Sequence, residues 1–166
     1  MNSNNHERDL VLIVTCRAGS EDWCEEEIGN RIFHKDPEVI VLKTKYQGLL
    51  LVYSKLHPDT AYKYAKSYEY GFVEKIIPAH IIINNIEQFN FEDSKKIIAE
   101  LLTEKQLTNN VKLKVKVRGR RGLSQHVWRA FIKAMKEHGI RHDPSSPVCI
   151  HVEGIDDMLI VGVSEC

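Results

Sequence analysis

The sequence predicts an α/β (α+β) fold made of two small domains. The chain has 166 residues, of which 43% are hydrophobic and 28% are charged, a composition typical of folded proteins. Short apolar runs of strand character alternate with amphipathic helical segments in both halves of the chain. We therefore expect a flexible segment over residues 1–8, a first domain over residues 9–84 and a second over residues 85–166. Because about 80 residues bury only a marginal core, we expect the two domains to pack together.

The first domain is expected to open with a strand and an acidic helix. Residues 10–16 form an apolar run typical of a strand, and Ser20 is a candidate N-cap for the helix that follows. Apolar side chains recur at every fourth position of that helix, at Cys24, Ile28 and Ile32. The acidic residues of its first turns interact favourably with the helix dipole, so we interpret them as capping residues and not as catalytic ones.

A hairpin, a second helix and a last strand complete the first domain. Residues 39–44 and 49–54 are rich in β-formers and are separated by a short turn, which predicts the hairpin. Pro58 favours the start of a helix, and residues 72–83 return to strand character, with Pro78 restricting that strand to an edge or a bent position. The order strand, helix, strand, strand, helix, strand is that of a ferredoxin-like domain.

The second domain is also predicted to mix helices and strands. Asn90 is a candidate cap for a helix with apolar residues at helical spacing. In residues 111–117 apolar side chains alternate with lysines without exception, which predicts a strand with one buried face. A glycine-rich basic turn, a helix over about residues 124–138 and two strands over residues 148–153 and 158–164 follow.

Basic residues are concentrated in one part of the second domain, although the formal net charge of the chain is zero. Eleven of the 23 Lys and Arg residues lie between Lys105 and His142, where Glu137 is the only acidic residue, whereas the rest of the chain holds 12 basic and 22 acidic residues. Such asymmetry indicates a face that binds a polyanion. The alternative is a solvated strand and helix whose charges are balanced by the acidic first half.

Nine residues of this segment form the predicted RNA-binding site. Three lysines share one face of the strand, an arginine continues their row, two arginines follow in the turn, and three further residues recur along one helix face. The set is Lys112, Lys114, Lys116, Arg118, Arg120, Arg121, Gln125, Arg129 and Lys133. Because guanidinium groups beside exposed helix N–H groups suit phosphate, we expect Arg118, Arg120 and Arg121 to contribute most to RNA affinity.

Sequence motifs for catalysis and metal binding are missing from the chain. It contains no glycine-rich nucleotide-binding motif, no nucleophile elbow and no zinc-deaminase motif. His138, His142, Cys149 and His151 are close in sequence but lack the paired spacing of a zinc site. We therefore expect no catalytic residue, no metal and no cofactor.

The chain is expected to be cytoplasmic and to have no membrane partner. Its longest apolar runs hold five residues, whereas a membrane helix needs about 18, and residues 1–9 do not resemble a secretory signal. The four cysteines, which show no C-x-x-C spacing, are expected to be reduced thiols.

Several segments together resemble the THUMP domain and the ferredoxin-like companion domain that precedes it. Residues 15–21 with Glu27 resemble the opening strand and helix of the companion, and residues 72–79 resemble the segment that leads into the THUMP domain. Residues 111–121 are similar to the basic strand of the family, and residues 143–153 to the entry into its closing hairpin. The resemblance covers nearly the whole chain and implies an N-terminal ferredoxin-like domain packed on a C-terminal THUMP domain.

The resemblance also implies a function. The family includes thiouridine synthetases, RNA methyltransferases and tRNA deaminases, in which a fused domain performs the chemistry, and a standalone tRNA acetylation adaptor. Because the chain leaves no room for a catalytic domain, the resemblance implies the non-catalytic adaptor. Such a protein binds the acceptor stem and 3′ end of tRNA for a separate RNA acetyltransferase that forms N4-acetylcytidine.

Other functions remain open from the sequence. The chain is alternatively a small RNA-modifying enzyme, or a subunit of a split thiouridine synthetase or methyltransferase. An RNA-recognition motif shares the topology of the first domain, but leucines occupy positions 49–51, on a strand where that motif needs aromatic rings for base stacking. We therefore do not favour an RNA-recognition motif.

Overall fold

The structure is a computed structural model that describes residues 8–166. It divides into two compact units, the first ending at His80 and the second running from Ile81 to Cys166. Both units combine helices with a β-sheet, so the predicted α/β fold class is confirmed. Among the described residues, no helix has both the length and the apolar character needed to cross a membrane.

The first unit has the ferredoxin-like order of elements. In chain order these are β1 (Asp9–Cys16), α1 (Glu21–Phe33), β2 (Ile40–Lys43), β3 (Leu49–Ser54), α2 (Pro58–Lys66) and β4 (Val73–Pro78). The four strands form an antiparallel sheet in the order β2–β3–β1–β4. β4 lies at an edge and ends at Pro78, as the missing N–H of proline predicts.

One face of this sheet is covered by α1 and α2. The buried stripe of α1 consists of Cys24, Ile28 and Ile32, as the four-residue spacing predicts. Ala61 and Ala65 are the buried residues of α2, and their small side chains bring that helix close to the sheet. The apolar periodicity of the sequence therefore predicted the buried face of α1, whereas Tyr68, expected on the same face as Ala61 and Ala65, lies beyond α2 and is exposed.

The start of α1 differs from the sequence prediction. Ser20 occupies the N-cap position, but its side chain makes no capping hydrogen bond. Instead, the Glu21 carboxylate accepts a hydrogen bond from the backbone N–H of Gly48, 2.7 Å away in the β2–β3 turn. Hydrogen bonds from its own backbone N–H and from that of Gly48 lower the pKa of Glu21. An acidic side chain of the first turn thus joins the helix to the hairpin.

The second unit contains five strands and two α-helices. In chain order these are β5 (Ile81–Asn84), α3 (Phe91–Lys105), β6 (Asn110–Val117), α4 (Leu123–Glu137), β7 (Arg141–His142), β8 (Val148–Ile155) and β9 (Met158–Glu165), with a 3₁₀ turn at Ile86–Gln88. The strand order is β5–β9–β8–β6–β7. β6 is parallel to β7 and β8, and the other pairs are antiparallel.

The two helices of this unit cover one face of its sheet. α3 begins with a capping box, in which Asn90 and Asp93 each accept a hydrogen bond from the other's backbone N–H. Val111 and Leu113 of β6 and Phe131 of α4 lie in one buried cluster with residues of α3. This packing fixes the orientation of α4 and leaves its opposite face exposed.

Three sequence expectations are wrong in detail. The single strand predicted over residues 72–83 is two strands, because β4 pairs with β1 in the first sheet while β5 pairs with β9 in the second. β7, only two residues long, was not predicted. The cysteines are not reduced thiols, since Cys16 is disulfide-bonded to Cys24 and Cys149 to Cys166.

Candidate nucleic-acid interface

The lysines of β6 lie on the face of the second sheet that points away from the helices. Because successive strand residues face opposite sides and Val111 and Leu113 are in the core, Lys112, Lys114 and Lys116 point the other way. Lys116 is exposed, and the other two lysines are half-buried. Their register partners on β8 are Cys149, His151 and Glu153, respectively. We call these three lysines the strand row.

Arg118 forms an ion pair inside the second unit. Its Nη1 lies 2.6 Å from Oε1 of Glu153, and the two side chains are only 12% and 9% exposed. Its backbone N–H donates to the carbonyl of Gly154 over 3.0 Å. The guanidinium is therefore held against β8, and its charge is balanced by an acidic residue that lies outside the basic segment of the sequence.

The two arginines of the turn have different surroundings. Arg120 pairs with Glu87, and its Nη2 lies 3.7 Å from Oδ1 of Asp157. Arg121 is exposed and makes no ion pair within the described part of the chain. Of the three arginines expected to contribute most to RNA affinity, only Arg121 thus has a guanidinium without an acidic partner among residues 8–166.

The outer face of α4 carries an exposed basic stripe. The helix follows Gly122, which has a positive φ of 77° and offers no capping side chain. We call the exposed stripe the α4 surface; its residues are Arg121, Gln125, Arg129, Lys133 and Lys136. Gln125, Arg129, Lys133 and Lys136 are three or four positions apart along one side of α4, and Arg121 lies in the turn just before the helix. The Lys133 ammonium lies 4.3 Å from the ring centroid of Phe91, a cation–π contact that restrains this side chain.

The nine predicted site residues therefore do not form one continuous surface. The sheet of the second unit separates the strand row from α4, because α4 packs on the apolar side chains of β6 and the lysines point to the other face. Arg118 and Arg120 are paired with acidic residues at the end of β6. Of the predicted site residues, only those of the α4 surface form an exposed basic stripe, along one side of α4 and the turn before it.

A cavity of about 490 Å³ lies at the C-terminal end of this stripe. Trp128, Lys136, Arg141 and His142 are among the residues that line it. Trp128 meets the His142 ring edge-to-face with a centroid distance of 4.9 Å, and His142 Nδ1 accepts a hydrogen bond of 3.0 Å from the backbone N–H of Leu113. Sequence reasoning missed this cavity because it depends on β7, whose two residues give no pattern.

The geometry favours the binding of anions. Arginine and lysine donate charge-assisted hydrogen bonds to phosphate oxygens, and the α4 surface presents four such side chains with no ion pair within residues 8–166. Within the same residues, no group of three or more His, Cys, Asp or Glu side chains is arranged to hold a metal ion. Cys149 is disulfide-bonded to Cys166, and Nε2 of His151 lies 3.0 Å from the Ser164 hydroxyl.

Comparison with sequences identifies no relative. No protein-family model matches the chain, and no curated protein matches it in sequence. The similarity of this chain to known proteins is therefore found in three-dimensional structure.

Three solved structures share the fold over nearly the whole chain. PH1313 from Pyrococcus horikoshii has a TM-score of 0.64 and 12% identity, with 95% of this chain and 55% of that chain covered. TrmN from Thermus thermophilus has a TM-score of 0.65 and 13% identity, with coverages of 93% and 45%. A 4-thiouridine synthetase, solved with RNA and ATP, has a TM-score of 0.54 and 16% identity, with coverages of 95% and 42%.

These similarities concern the fold alone, because all identities are low. The chain spans about half the length of the solved chains that it matches. The matched part of each solved chain corresponds to both units of this chain, because more than nine-tenths of this chain is covered in each case. The chain thus has the THUMP-like fold that the sequence resemblance implied.

Proposed function

We propose that this chain binds tRNA through the α4 surface and presents it to a separate RNA-modifying enzyme. The partner is an RNA acetyltransferase that forms N4-acetylcytidine, and the chain itself is a non-catalytic, cytoplasmic adaptor. The single observation that carries the proposal is the stripe of four exposed cations from Arg121 to Lys136 that no acidic side chain of the described residues neutralises. Uncompensated cations along one helix and the turn before it are suited to the phosphates of an RNA backbone.

The contrast between paired and unpaired arginines supports this assignment. Arg118 and Arg120 already have acidic partners, so binding RNA would first require these ion pairs to break. Arg121 and Arg129 have none within residues 8–166 and can bind phosphate without that cost. RNA affinity is therefore assigned to the α4 surface.

The cavity beside Trp128 supports binding of a single-stranded RNA end. Its volume of about 490 Å³ lies within the usual range of small-ligand sites, and two basic side chains, Lys136 and Arg141, border it. Proteins recognise unpaired nucleotides by placing bases against aromatic rings and phosphates against cations. An acceptor stem bound along α4 would bring its free 3′ end to this cavity.

Similarity in fold to a 4-thiouridine synthetase that was solved with RNA supports a role in tRNA modification. The chain covers only 42% of the synthetase, so the shared fold makes up part of that longer protein. The fold is therefore compatible with fusion to a further domain and with a separate chain. We assign the chemistry to a partner because the sequence contains none of the catalytic motifs named above, and because no group of three or more His, Cys, Asp or Glu side chains among residues 8–166 is arranged to hold a metal ion.

A reconstitution experiment tests this function. Purified chain, acetyl-CoA and tRNA are combined with and without the RNA acetyltransferase of the same organism, and N4-acetylcytidine is measured by mass spectrometry of nucleosides. We expect product only when chain and enzyme are both present. Product from the chain alone would show that it is an enzyme, and equal product without the chain would show that it is not an adaptor.

The RNA requirement is tested with a minimal substrate. A stem-loop that retains one helical stem and a free single-stranded 3′ end should bind almost as tightly as whole tRNA. The same stem with a blunt end is the matched control and should bind more weakly. Equal binding of both stems would contradict recognition of the acceptor end.

A further inference from the structure

A groove in the first unit has the composition of a protein-binding site. It lies along α1 and has a volume of about 330 Å³. Aromatic side chains form much of its wall: Trp23 of α1, Tyr68 after α2, and Phe72 just before β4. Trp23 is 60% exposed and Tyr68 is 52% exposed, although large aromatic side chains are usually buried.

The aromatic walls of the groove are held in place by contacts within the unit. Trp23 stacks on Phe72 with a centroid distance of 5.8 Å. The Arg31 guanidinium lies 3.7 Å from the ring centroid of Tyr64 and 5.2 Å from that of Tyr68, and it donates a hydrogen bond of 3.0 Å to the carbonyl of Tyr64. A groove held in this way needs little reorganisation when a partner binds.

Two neighbouring glutamates have different roles at the groove. Glu27 accepts hydrogen bonds from three successive backbone N–H groups, those of Gly71, Phe72 and Val73, at 2.6, 2.8 and 3.2 Å. This carboxylate therefore holds residues 71–73, which include Phe72, against α1. The Glu26 side chain is exposed and makes no hydrogen bond or ion pair within the described residues, so its charge is available at the edge of the groove.

The charge of α1 favours a protein over RNA as the occupant. Glu25 and Glu26 would repel phosphates, and Arg31 is already engaged by Tyr64 and by the Ser67 hydroxyl at 2.8 Å. Trp, Tyr and Arg are the residues most enriched at the energetic centres of protein interfaces. An apolar side chain suits the aromatic walls, and a Lys or Arg suits the free carboxylate of Glu26.

We infer that this groove docks the RNA-modifying enzyme through a segment that carries an apolar side chain next to a basic one. The inference rests on the proposed function and adds the surface at which the enzyme binds. The apolar side chain packs against Trp23 and Tyr68, and the basic one pairs with Glu26. RNA and enzyme then bind to different units of the chain, so each interaction can be removed without the other.

Two variants of the full chain test the docking surface. Trp23→Ala removes the exposed aromatic wall, and Glu26→Lys reverses the free charge. Each should weaken binding of the purified acetyltransferase, measured by calorimetry, by about tenfold or more. Affinity for tRNA, measured by filter binding, should stay within about twofold, because neither residue belongs to the α4 surface. Thermal unfolding followed by circular dichroism verifies that both variants fold, and Glu26→Lys changes only an exposed side chain.

Matched controls come from the same unit. Leu42, 48% exposed on β2, and the exposed Glu74 lie outside the groove lining. Leu42→Ala and Glu74→Lys repeat the two kinds of change and should leave binding of the enzyme within about twofold of wild type.

The outcomes separate this inference from the proposed function. If the wild-type chain does not bind the acetyltransferase, both the docking inference and the proposed function are wrong. If wild-type chain binds and the two groove variants bind equally well, the docking surface is wrong and the adaptor function stands. If the variants lose affinity for tRNA, the groove is an RNA contact and the inference is overturned.

Discussion

The guanidinium of Arg118 and the carboxylate of Glu153 form an ion pair with an N–O distance of 2.6 Å, and both side chains are nearly closed to solvent. The pair joins the residue that follows β6 to the middle of β8. Breaking a mostly buried ion pair is costly, because the remaining charge keeps its place and loses its partner. Arg118 is therefore assigned to the stability of the second unit.

Replacing Arg118 by Ala should destabilise the protein. We expect the free energy of unfolding to fall by about 3 kcal/mol, since Glu153 would remain buried without its partner. The double variant Arg118→Ala with Glu153→Gln should recover part of that loss because no charge is left unpaired. Urea denaturation measures both.

The matched control for this experiment is Arg129→Ala, which removes an exposed arginine of α4 and should change the free energy of unfolding by no more than about 0.5 kcal/mol. Equal stability of Arg118→Ala and wild type would show that the ion pair contributes nothing to the fold.

A second prediction concerns Asp36, a 5% exposed carboxylate between α1 and β2. It accepts hydrogen bonds from the Ser54 hydroxyl at 2.7 Å and from the backbone N–H groups of Lys55 and Glu38 at 2.9 and 3.0 Å. Burial opposes ionisation, but these hydrogen bonds outweigh it and lower the pKa of Asp36 below its ordinary value of 3.8.

The lowered pKa sets the direction of the pH effect. As the pH falls, the unfolded state takes up the proton first, so stabilisation by Asp36 is complete above pH 3.8 and is lost as the pH falls through the folded pKa. Asp36→Asn should reduce the free energy of unfolding at pH 7 by about 1–3 kcal/mol, and the difference from wild type should shrink in acid. Urea titrations at several pH values measure this; a constant difference would contradict the assignment.

A third prediction follows from the two disulfides. Cys149 and Cys166 are 17 residues apart in sequence and close a loop that contains β8 and β9, and a crosslink over such a loop contributes about 3 kcal/mol. Protein purified without reductant should not react with iodoacetamide, and reduction should lower its midpoint of thermal unfolding. Cys166→Ser, which removes one disulfide and retains the other, should give part of that decrease. Alkylation of all four cysteines in the absence of reductant would show that the thiols are free.

Local patterns in the sequence predicted most elements of the fold. The alternation of Val and Leu with Lys gave β6 and its buried face, and the spacing of Cys24, Ile28 and Ile32 gave the buried stripe of α1. These features are local, because the spacing of apolar residues along one helix or strand decides which of its side chains face the core.

Features that depend on distant residues were not predictable in the same way. Arg118 and Glu153 are 35 positions apart, so counting charges within the basic segment overlooked their pairing. Cys149 meets Cys166 because β8 and β9 are antiparallel neighbours. The apolar run of residues 72–83 gave no sign that its two ends join different sheets.

The same reasoning explains how much of the candidate site could be predicted. Gln125, Arg129 and Lys133 share one exposed helix face, as their spacing indicates. The separation of the strand row from α4 required knowledge of which face of β6 the helix covers, and that depends on tertiary packing.

The last prediction concerns the charges that bind tRNA. Each phosphate contact contributes roughly −0.7 for a single strand to −0.9 for a duplex stem to the slope of log affinity against log salt concentration. With about four to six contacts, the wild-type slope should be about −3 to −5. Glu25→Gln with Glu26→Gln is the matched control on α1 and should leave the slope unchanged. Glu27 is excluded from that control because it holds three backbone N–H groups.

The measurement that tests the central claim most directly is the salt dependence of tRNA binding by the variant Arg121→Ala, Arg129→Ala, Lys133→Ala. These exposed side chains lie on the α4 surface, so the variant should fold normally. Loss of three phosphate contacts should weaken binding at every salt concentration and bring the slope closer to zero by about 2. A variant with the affinity and slope of wild type would contradict the claim that the α4 surface binds tRNA.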